Sequence, residues 1–162
     1  MSNRSRTELI DAVNTAARRH HAAYSSFNQA LAERVGLHPT DLQCVSLLTL
    51  EPGPHTIGAI AERTGLTSGS ATRLVDRLER AGLVERRADP QDRRKMLVSL
   101  TAERISAVDA AWENPGRAFN LALDDFTATE LETIERYLLR ITDVGNEQAK
   151  ALNGSVDEDG RT

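Results

Sequence analysis

The chain has 162 residues, of which 40% are apolar and 27% are charged. This length suits one ordinary domain with appended helices and excludes two large domains. Its apolar runs are far shorter than the ~20 residues of a membrane span, and its polar start does not resemble a signal peptide, so we expect a cytoplasmic protein. The single cysteine excludes an internal disulfide and fits a reducing compartment.

The net charge of −4 is unevenly distributed along the chain. Residues 56–100 hold nine Arg or Lys against six Asp or Glu, whereas residues 101–162 hold six against thirteen. A basic segment inside an acidic chain is typical of a module that binds a polyanion. The middle of the chain is therefore the candidate for binding nucleic acid.

The first predicted element is a long helix over residues 7–35, which contain no proline or glycine and space their apolar residues by three and four. At ~1.5 Å per residue this helix would reach ~40 Å. That is more than a small domain covers, so we expect part of its apolar stripe to contact another chain. Gly36 ends this helix, and Pro39 and Asp41 open a second one that stops at residues 52–54.

Residues 55–84 predict two short helices with a tight break at Thr64-Gly65-Leu66. The second helix has an apolar face with helical spacing and is capped by Gly82; the face consists of Ala71, Leu74, Val75 and Leu78. Residues 83–87 and 96–100 then predict two strands around a turn that contains Asp89-Pro90. Two helices followed by a hairpin predict a winged helix-turn-helix domain over residues 38–100, within a mainly α fold with a small β-hairpin.

Three further segments follow the predicted wing. Residues 101–126 predict a connecting helix that is kinked or divided at residues 114–116, where the sequence is Asn-Pro-Gly. Thr127 and Glu130 predict a capping box for a final helix over residues 127–150. The polar segment 153–162 predicts a disordered tail.

The second helix of the helix-turn-helix pair starts with small side chains. Thr67, Ser68 and Ser70 would allow the backbone to approach a duplex closely and to hold a phosphate at the helix N-terminus. Judged alone, such a helix could be an ordinary solvated surface helix. The glycine turn before it and the basic hairpin after it favour DNA binding instead.

The outward face of the same helix carries the candidates for reading DNA. Arg73 and Arg77 could reach bases or phosphates, and Thr72 lies on the same face. Asp76 and Glu79 fit that role poorly, so we expect them to pair with neighbouring arginines.

The stretch LTSGSATRLVDRLERAGLVERRADPQDRRKMLVSLT resembles the MarR family of bacterial transcription regulators. The resemblance covers residues 55–101 and includes the wing motif Asp-x-Arg followed by x-Leu-Thr, which corresponds to Asp92, Arg94, Leu100 and Thr101. It extends loosely to about residue 150. It implies a winged helix-turn-helix with a long-helix dimerisation domain, here residues 7–35 and 127–150, and a two-fold dimer on a pseudo-palindromic operator in double-stranded DNA.

The resemblance also implies that Arg94 enters the minor groove and that Asp92 orients it by a salt bridge. Arg93 and Lys95 flank this arginine, and we expect them to contact phosphates. The chain departs from the family at residues 102–104, where relatives often have a glycine, and at residues 114–116. Neither departure lies in the motif that faces DNA.

Effector binding, redox sensing and metal binding have weaker support in the sequence. His20, Tyr24 and Trp112 are a candidate lining for an effector pocket, although packing between helices explains them at least as well. Cys44 lies among apolar residues, which favours a core position over a peroxide-sensing thiol. The adjacent His20 and His21 point to different helix faces, which disfavours a metal site, so we expect no metal and no cofactor.

The sequence shows no set of a nucleophile, a general base and a residue that orients the base, and it shows no phosphate-binding glycine loop. We therefore do not expect an enzyme. It predicts a homodimeric transcriptional regulator, expected to be a repressor that a small aromatic or lipophilic effector relieves. The alternative is a winged-helix module for architectural DNA binding or for protein contacts, without an effector.

Overall fold

The computed structural model describes residues 4–159, including their side chains except those of residues 102–105, 107 and 153–159. These residues form two compact units that divide between Trp112 and Glu113. In chain order the elements are α1 (Arg6–Val35), α2 (Pro39–Leu50), β1 (His55–Thr56), α3 (Ile57–Thr64), α4 (Ser68–Arg80), β2 (Val84–Ala88), β3 (Met96–Leu100), α5 (Ala102–Leu121) and α6 (Ala128–Asp159). None of the helices within the described range is long and apolar enough to cross a bilayer.

Local signals in the sequence set the helix ends. At the start of α1, Ser5 Oγ accepts from the Glu8 backbone N–H at 3.3 Å, and Glu8 Oε2 accepts from the Ser5 N–H at 2.6 Å. At the end of α3, Gly65 has a φ of +67°, a left-handed conformation that costs glycine little. This turn, predicted from the sequence, joins the two helices of the helix-turn-helix, α3 and α4.

The sheet has three antiparallel strands in the order β1-β3-β2. The predicted hairpin of β2 and β3 is present, with Val84 opposite Leu100 and Ala88 opposite Met96. Strand β1, which pairs with β3, was not predicted. It contains two residues, too few for the alternation of apolar and polar side chains that identifies a strand.

The core of the first unit joins the helix-turn-helix to the wing. Its main cluster draws buried side chains from α2, α3, α4, the two wing strands and the residue before β2: Cys44, Val45, Leu48, Ile60, Leu74, Val75, Leu78, Leu83, Val84 and Val98. The predicted apolar face of α4 is thus buried. A second cluster joins α1 to α2 through Leu31, Ala32 and Leu42. Because buried leucines typically contribute about 1.5–3 kcal/mol each, this packing fixes where α4 lies.

Helices α5 and α6 correspond to the segments predicted after the wing. Helix α5 is one continuous helix through Pro115, so of the two predicted alternatives the division at residues 114–116 is excluded. A proline removes one backbone hydrogen bond, and the turns on either side keep theirs. Helix α6 begins with the predicted capping box, in which the Thr127 N–H donates to Glu130 Oε2 at 2.8 Å.

The predicted disordered tail, 153–162, starts inside α6. This helix continues to Asp159. Residues 160–162 lie outside the described residues.

Candidate nucleic-acid interface

The N-terminus of α4 is open and lined by hydroxyl groups. Thr67 caps the helix, and its Oγ1 accepts from the Ser70 N–H at 3.3 Å and donates to Ser70 Oγ at 3.0 Å. A side chain added at Gly69 would meet no atom within 4 Å. Ser68 is exposed beside it. The N–H groups of the first turn and the positive end of the helix dipole together favour an anion here.

Arg73 and Thr72 lie on the exposed face of α4, one turn beyond this start. The Arg73 Nη2 donates to Ser70 Oγ at 3.3 Å, and the Thr72 hydroxyl donates to the Ser68 carbonyl at 2.9 Å. Both side chains are exposed. The first two turns of α4 therefore present short hydroxyls and one long cation on the same surface.

Arg77, the other predicted reader, lies one turn further along α4 and is bound to a carboxylate from another helix. Its Nε and Nη2 donate to Asp41 Oδ2 and Oδ1 at 3.0 and 2.6 Å. The Asp41 side chain is only 6% exposed, whereas that of Arg77 is 42% exposed. The hydrogen bonds to Asp41 raise the pKa of Arg77. Two of its donors are thus turned inward rather than toward a duplex.

A second ion-pair cluster joins α4 to the wing. Arg86 on β2 donates to Asp76 Oδ1 at 2.6 Å and to Glu79 Oε2 at 3.0 Å. As predicted, both acids pair with an arginine, but it is a single arginine on β2 and not a neighbour on α4. Sequence reasoning did not single out Arg86. It stands between Glu85 and Arg87 on a short strand, and the sequence does not show which of these charged side chains faces α4.

The wing tip is a tight loop held by aspartates. Asp89 Oδ1 accepts from the Gln91 N–H at 2.8 Å, and the backbone closes between the Asp89 N–H and the Lys95 carbonyl at 2.9 Å. The predicted salt bridge is present, with Arg94 Nε at 3.1 Å from Asp92 Oδ1. The hydrogen bonds from the Arg94 side chain and backbone lower the pKa of the Asp92 carboxyl.

The cations of the tip point away from the domain. The Arg94 side chain is 91% exposed, and Arg93 and Lys95 beside it are also exposed. Asp92 is engaged along the Nε edge of the guanidinium, with Nη2 at 3.4 Å from Oδ2. An arginine that projects from a hairpin while one edge is held is suited to a narrow, electronegative minor groove.

The three residues proposed to line an effector pocket are joined by a fourth aromatic ring. His20 and Tyr24 have ring centroids 6.0 Å apart. Phe27, which sequence reasoning did not assign to the pocket, lies between the other two rings, with its centroid 5.9 Å from that of Tyr24 in a tilted contact and 5.4 Å from that of Trp112 in an edge-to-face contact. The spacing of Phe27, three residues after Tyr24, could have identified it as a member of the same helix face.

The polar groups considered for metal or redox chemistry are dispersed or buried. In the part of the chain that the structure describes, no three His, Cys, Asp or Glu side chains group in a way that could hold a metal ion. Cys44 is buried in the main core cluster. Burial, and secondarily the charge of Asp41, raise the pKa of its thiol to about 11.

We expect Cys44 to react at least about 100-fold more slowly with iodoacetamide in the native protein than in the urea-unfolded protein at pH 8. A pKa near 11 keeps the thiol protonated through pH 8, so the reactive thiolate becomes abundant only as the pH approaches that value. Mass spectrometry of timed samples measures the rates. Equal rates in the two states would show that this thiol is accessible and ionised, contrary to the core position.

Comparisons with known proteins agree with this geometry. A family model described as the MarR family matches residues 35–95. The chain is 40% identical over 127 residues to YcgE, an uncharacterized HTH-type transcriptional regulator of Bacillus subtilis (strain 168), which covers 78% of this chain and 81% of YcgE. It is 28% identical over 122 residues to the HTH-type transcriptional regulator MhqR of the same organism, covering 74% of this chain and 83% of MhqR.

A solved structure supports the fold. A MarR family protein from Bacillus stearothermophilus aligns with a TM-score of 0.68 at 21% identity, covering 86% of this chain and 97% of that one. The matched relatives are transcriptional regulators and not enzymes, as the sequence predicted. The similarity to YcgE extends over most of both chains, and the family model covers the helix-turn-helix and most of the wing, so this chain belongs to the MarR family of DNA-binding, winged helix-turn-helix transcriptional regulators.

Proposed function

We propose that the protein is a homodimeric, sequence-specific regulator that binds a pseudo-palindromic operator in the cytoplasm. The observation that carries this proposal is the surface formed by the open N-terminus of α4, exposed Arg73 and the Arg94 that Asp92 holds at the wing tip. In a winged helix-turn-helix the helix reads the major groove. The wing arginine then reads the flanking minor groove, where sequence-dependent width attracts it.

Exposed apolar side chains on two long helices support the dimer. Helix α1 exposes the apolar side chains of Leu9, Ile10 and Val13. Within 127–150, helix α6 exposes those of Tyr137, Leu138, Leu139 and Ile141. Clusters of large exposed apolar side chains mark surfaces that bind another protein. We assign the predicted segments 7–35 and 127–150 to contacts between two copies.

We further propose that the regulator is a repressor relieved by a small aromatic or lipophilic molecule. The support is the row of rings formed by His20, Tyr24, Phe27 and Trp112, of which Tyr24 and Trp112 are 42% and 37% exposed. Partly exposed ring faces suit a flat apolar ligand. A thermal-shift screen with small aromatic acids tests this part, and a Tyr24→Ala variant should lose any shift that the wild type shows.

A mobility-shift assay tests the main proposal. Purified protein is titrated against the DNA upstream of its own coding sequence and against random duplex at ~150 mM salt, where nonspecific binding is weak. We expect a dimer to shift the upstream DNA, through one palindrome, at protein concentrations that leave random duplex unbound. Equal binding to both DNAs would instead support the architectural or protein-interaction module without an effector.

Arg94→Ala should weaken binding by about tenfold when the operator flanks are rich in A·T and by less when they are rich in G·C. The physical reason is the narrow minor groove of A·T tracts, whose negative potential favours an inserted arginine. Fluorescence anisotropy on operators that differ only in their flanks measures the effect. The control Arg93→Ala removes the same charge one residue away and should lose the same affinity on both kinds of flank. If Arg94→Ala also lost the same affinity on both, Arg94 would be only a phosphate contact.

A further inference from the structure

The ion pair between Asp41 and Arg77 joins the recognition helix to a helix outside the helix-turn-helix. Asp41 lies in the first turn of α2, and Arg77 lies in the third turn of α4, 36 residues later in the chain. Both oxygens of the carboxylate are engaged by two nitrogens of the guanidinium. A two-point contact between planar groups sets the distance between helices and also their relative rotation.

The carboxylate end of this pair is the fixed end. Asp41 is almost fully buried, and its neighbour Leu42 packs in the cluster that joins α2 to α1. Asn28 of α1 also donates to the carbonyl of Pro39, in the same first turn of α2, at 3.4 Å. Because α2 is anchored on α1 in this way, Asp41 holds Arg77 and thereby positions the middle of α4.

A different side of α4 is held by Arg86 of the wing through Asp76 and Glu79. Over residues 76–79 the helix therefore has one ion pair to α2 and two to β2. The side chains of residues 68–73 before them make hydrogen bonds only to their own turn and to the cap, among the bonds described. The held part of the helix thus lies next to the part that faces DNA.

The geometry points to Asp41 as a positioning residue of the DNA interface, with Arg77 acting through Asp41 instead of contacting DNA. This inference rests on the proposed role of α4 in reading DNA. It replaces the sequence-based assignment of Arg77 as a reader. Asp41 has no place in that assignment, because a buried acid distant in the chain from α4 gives no sequence signal for DNA recognition.

The two roles of Arg77 predict opposite results for Asp41→Asn. If Arg77 contacts DNA, loss of the carboxylate frees the guanidinium and removes a negative charge, so binding tightens. If Asp41 positions the helix, its loss lets α4 shift, so operator binding weakens although the interface becomes more positive. We expect the second result, a loss of about tenfold or more at ~150 mM salt, comparable with removing one good base contact.

The experiment is a double-mutant cycle on the full-length protein with Asp41→Asn, Arg77→Gln and the double variant, read by anisotropy on the operator. Positioning predicts that the two single variants lose affinity similarly and that the double variant loses little more, since all three remove one pair. The dependence of log K on log salt should keep its slope. If Arg77 instead binds a phosphate, Arg77→Gln alone should lose affinity while Asp41→Asn does not, and in Arg77→Gln the slope should fall by about one unit for each phosphate that is no longer neutralised.

Arg77→Lys gives a second, independent readout for variants that fold less well. Lysine keeps the charge but cannot make the two-point contact. Positioning predicts weaker operator binding with unchanged affinity for random duplex, whereas a phosphate contact predicts that both are kept. Asp125→Asn, an exposed change of the same charge, serves as the matched control and should bind like wild type.

The outcomes separate failure of this inference from failure of the proposed function. If the wild type shows no preference for the operator, the proposed function is wrong. If the wild type binds specifically but Asp41→Asn binds as tightly or more tightly, or Arg77→Gln reduces the salt slope, then the positioning role is wrong. A circular dichroism spectrum at the assay temperature and a thermal melt confirm that each variant is folded before its binding is compared.

Discussion

Replacing Leu138 and Ile141 of α6 by glutamate should convert the protein to a monomer and weaken operator binding by about 100-fold or more. These side chains lie one turn apart and are 49% and 47% exposed. Two charges within an apolar contact cost far more to bury than they gain, so the two copies should separate. A monomer engages one half-site and loses the advantage that comes from linking two.

Sedimentation velocity and anisotropy on the same samples check this result. The matched control is Arg136→Ala combined with Arg140→Ala, which lowers the net charge by the same two units on the charged side of the same helix. This control should remain dimeric. A Leu138→Glu, Ile141→Glu protein that stays dimeric, or a monomer that binds the operator as well as wild type does, would contradict the assignment of α6 to the dimer contact.

Arg73→Ala should remove the preference for one base pair in each half-site, at a cost of roughly 1–3 kcal/mol per half-site. Arg73 is the exposed cation on the first two turns of α4, and it is close to the slim helix start that permits a near approach to base edges. A bidentate contact from its guanidinium to guanine would account for such discrimination. The loss should therefore concentrate at one position of the operator.

Binding to a panel of operators, each with one symmetric pair of positions changed, measures this effect. The wild type should discriminate at every contacted position, whereas Arg73→Ala should tolerate any base at one of them. Arg80→Ala removes the same charge from the far end of α4, where its Nε donates to the Asp76 carbonyl, and should leave the pattern intact. Uniform weakening by Arg73→Ala, together with a reduced salt slope, would limit Arg73 to the phosphate backbone.

The local features of this fold were predictable because short-range chemistry determines them. The glycine turn at Gly65 and the capping box at Thr127 depend on residues within a few positions of one another, and the wing strands pair residues 8 to 16 positions apart across one loop. The family resemblance likewise placed Asp92 and Arg94 together, and they are two residues apart.

The tertiary pairs were not predictable in the same way. The outward face of α4 suggested Arg77 as a reader, but a helical projection cannot show that a buried acid of α2 lies within reach. The same limit applies to Arg86. The sequence predicted that Asp76 and Glu79 pair with an arginine, but it did not show that the arginine is Arg86. Charge on a helix face indicates what could touch DNA, and only the packing shows which charges are already used.

The division of α4 into a held part and an open part bears on how new DNA specificities arise in this fold. Substitutions at the exposed residues 68, 69, 72 and 73 change the surface proposed to face the duplex and leave the ion pairs to Asp41 and Arg86 in place. Substitutions in residues 76–79 alter the placement of the helix itself and need compensating changes on α2 or β2. A helix exchanged whole between two such regulators would therefore carry its specificity only if residues 41 and 86 were exchanged with it.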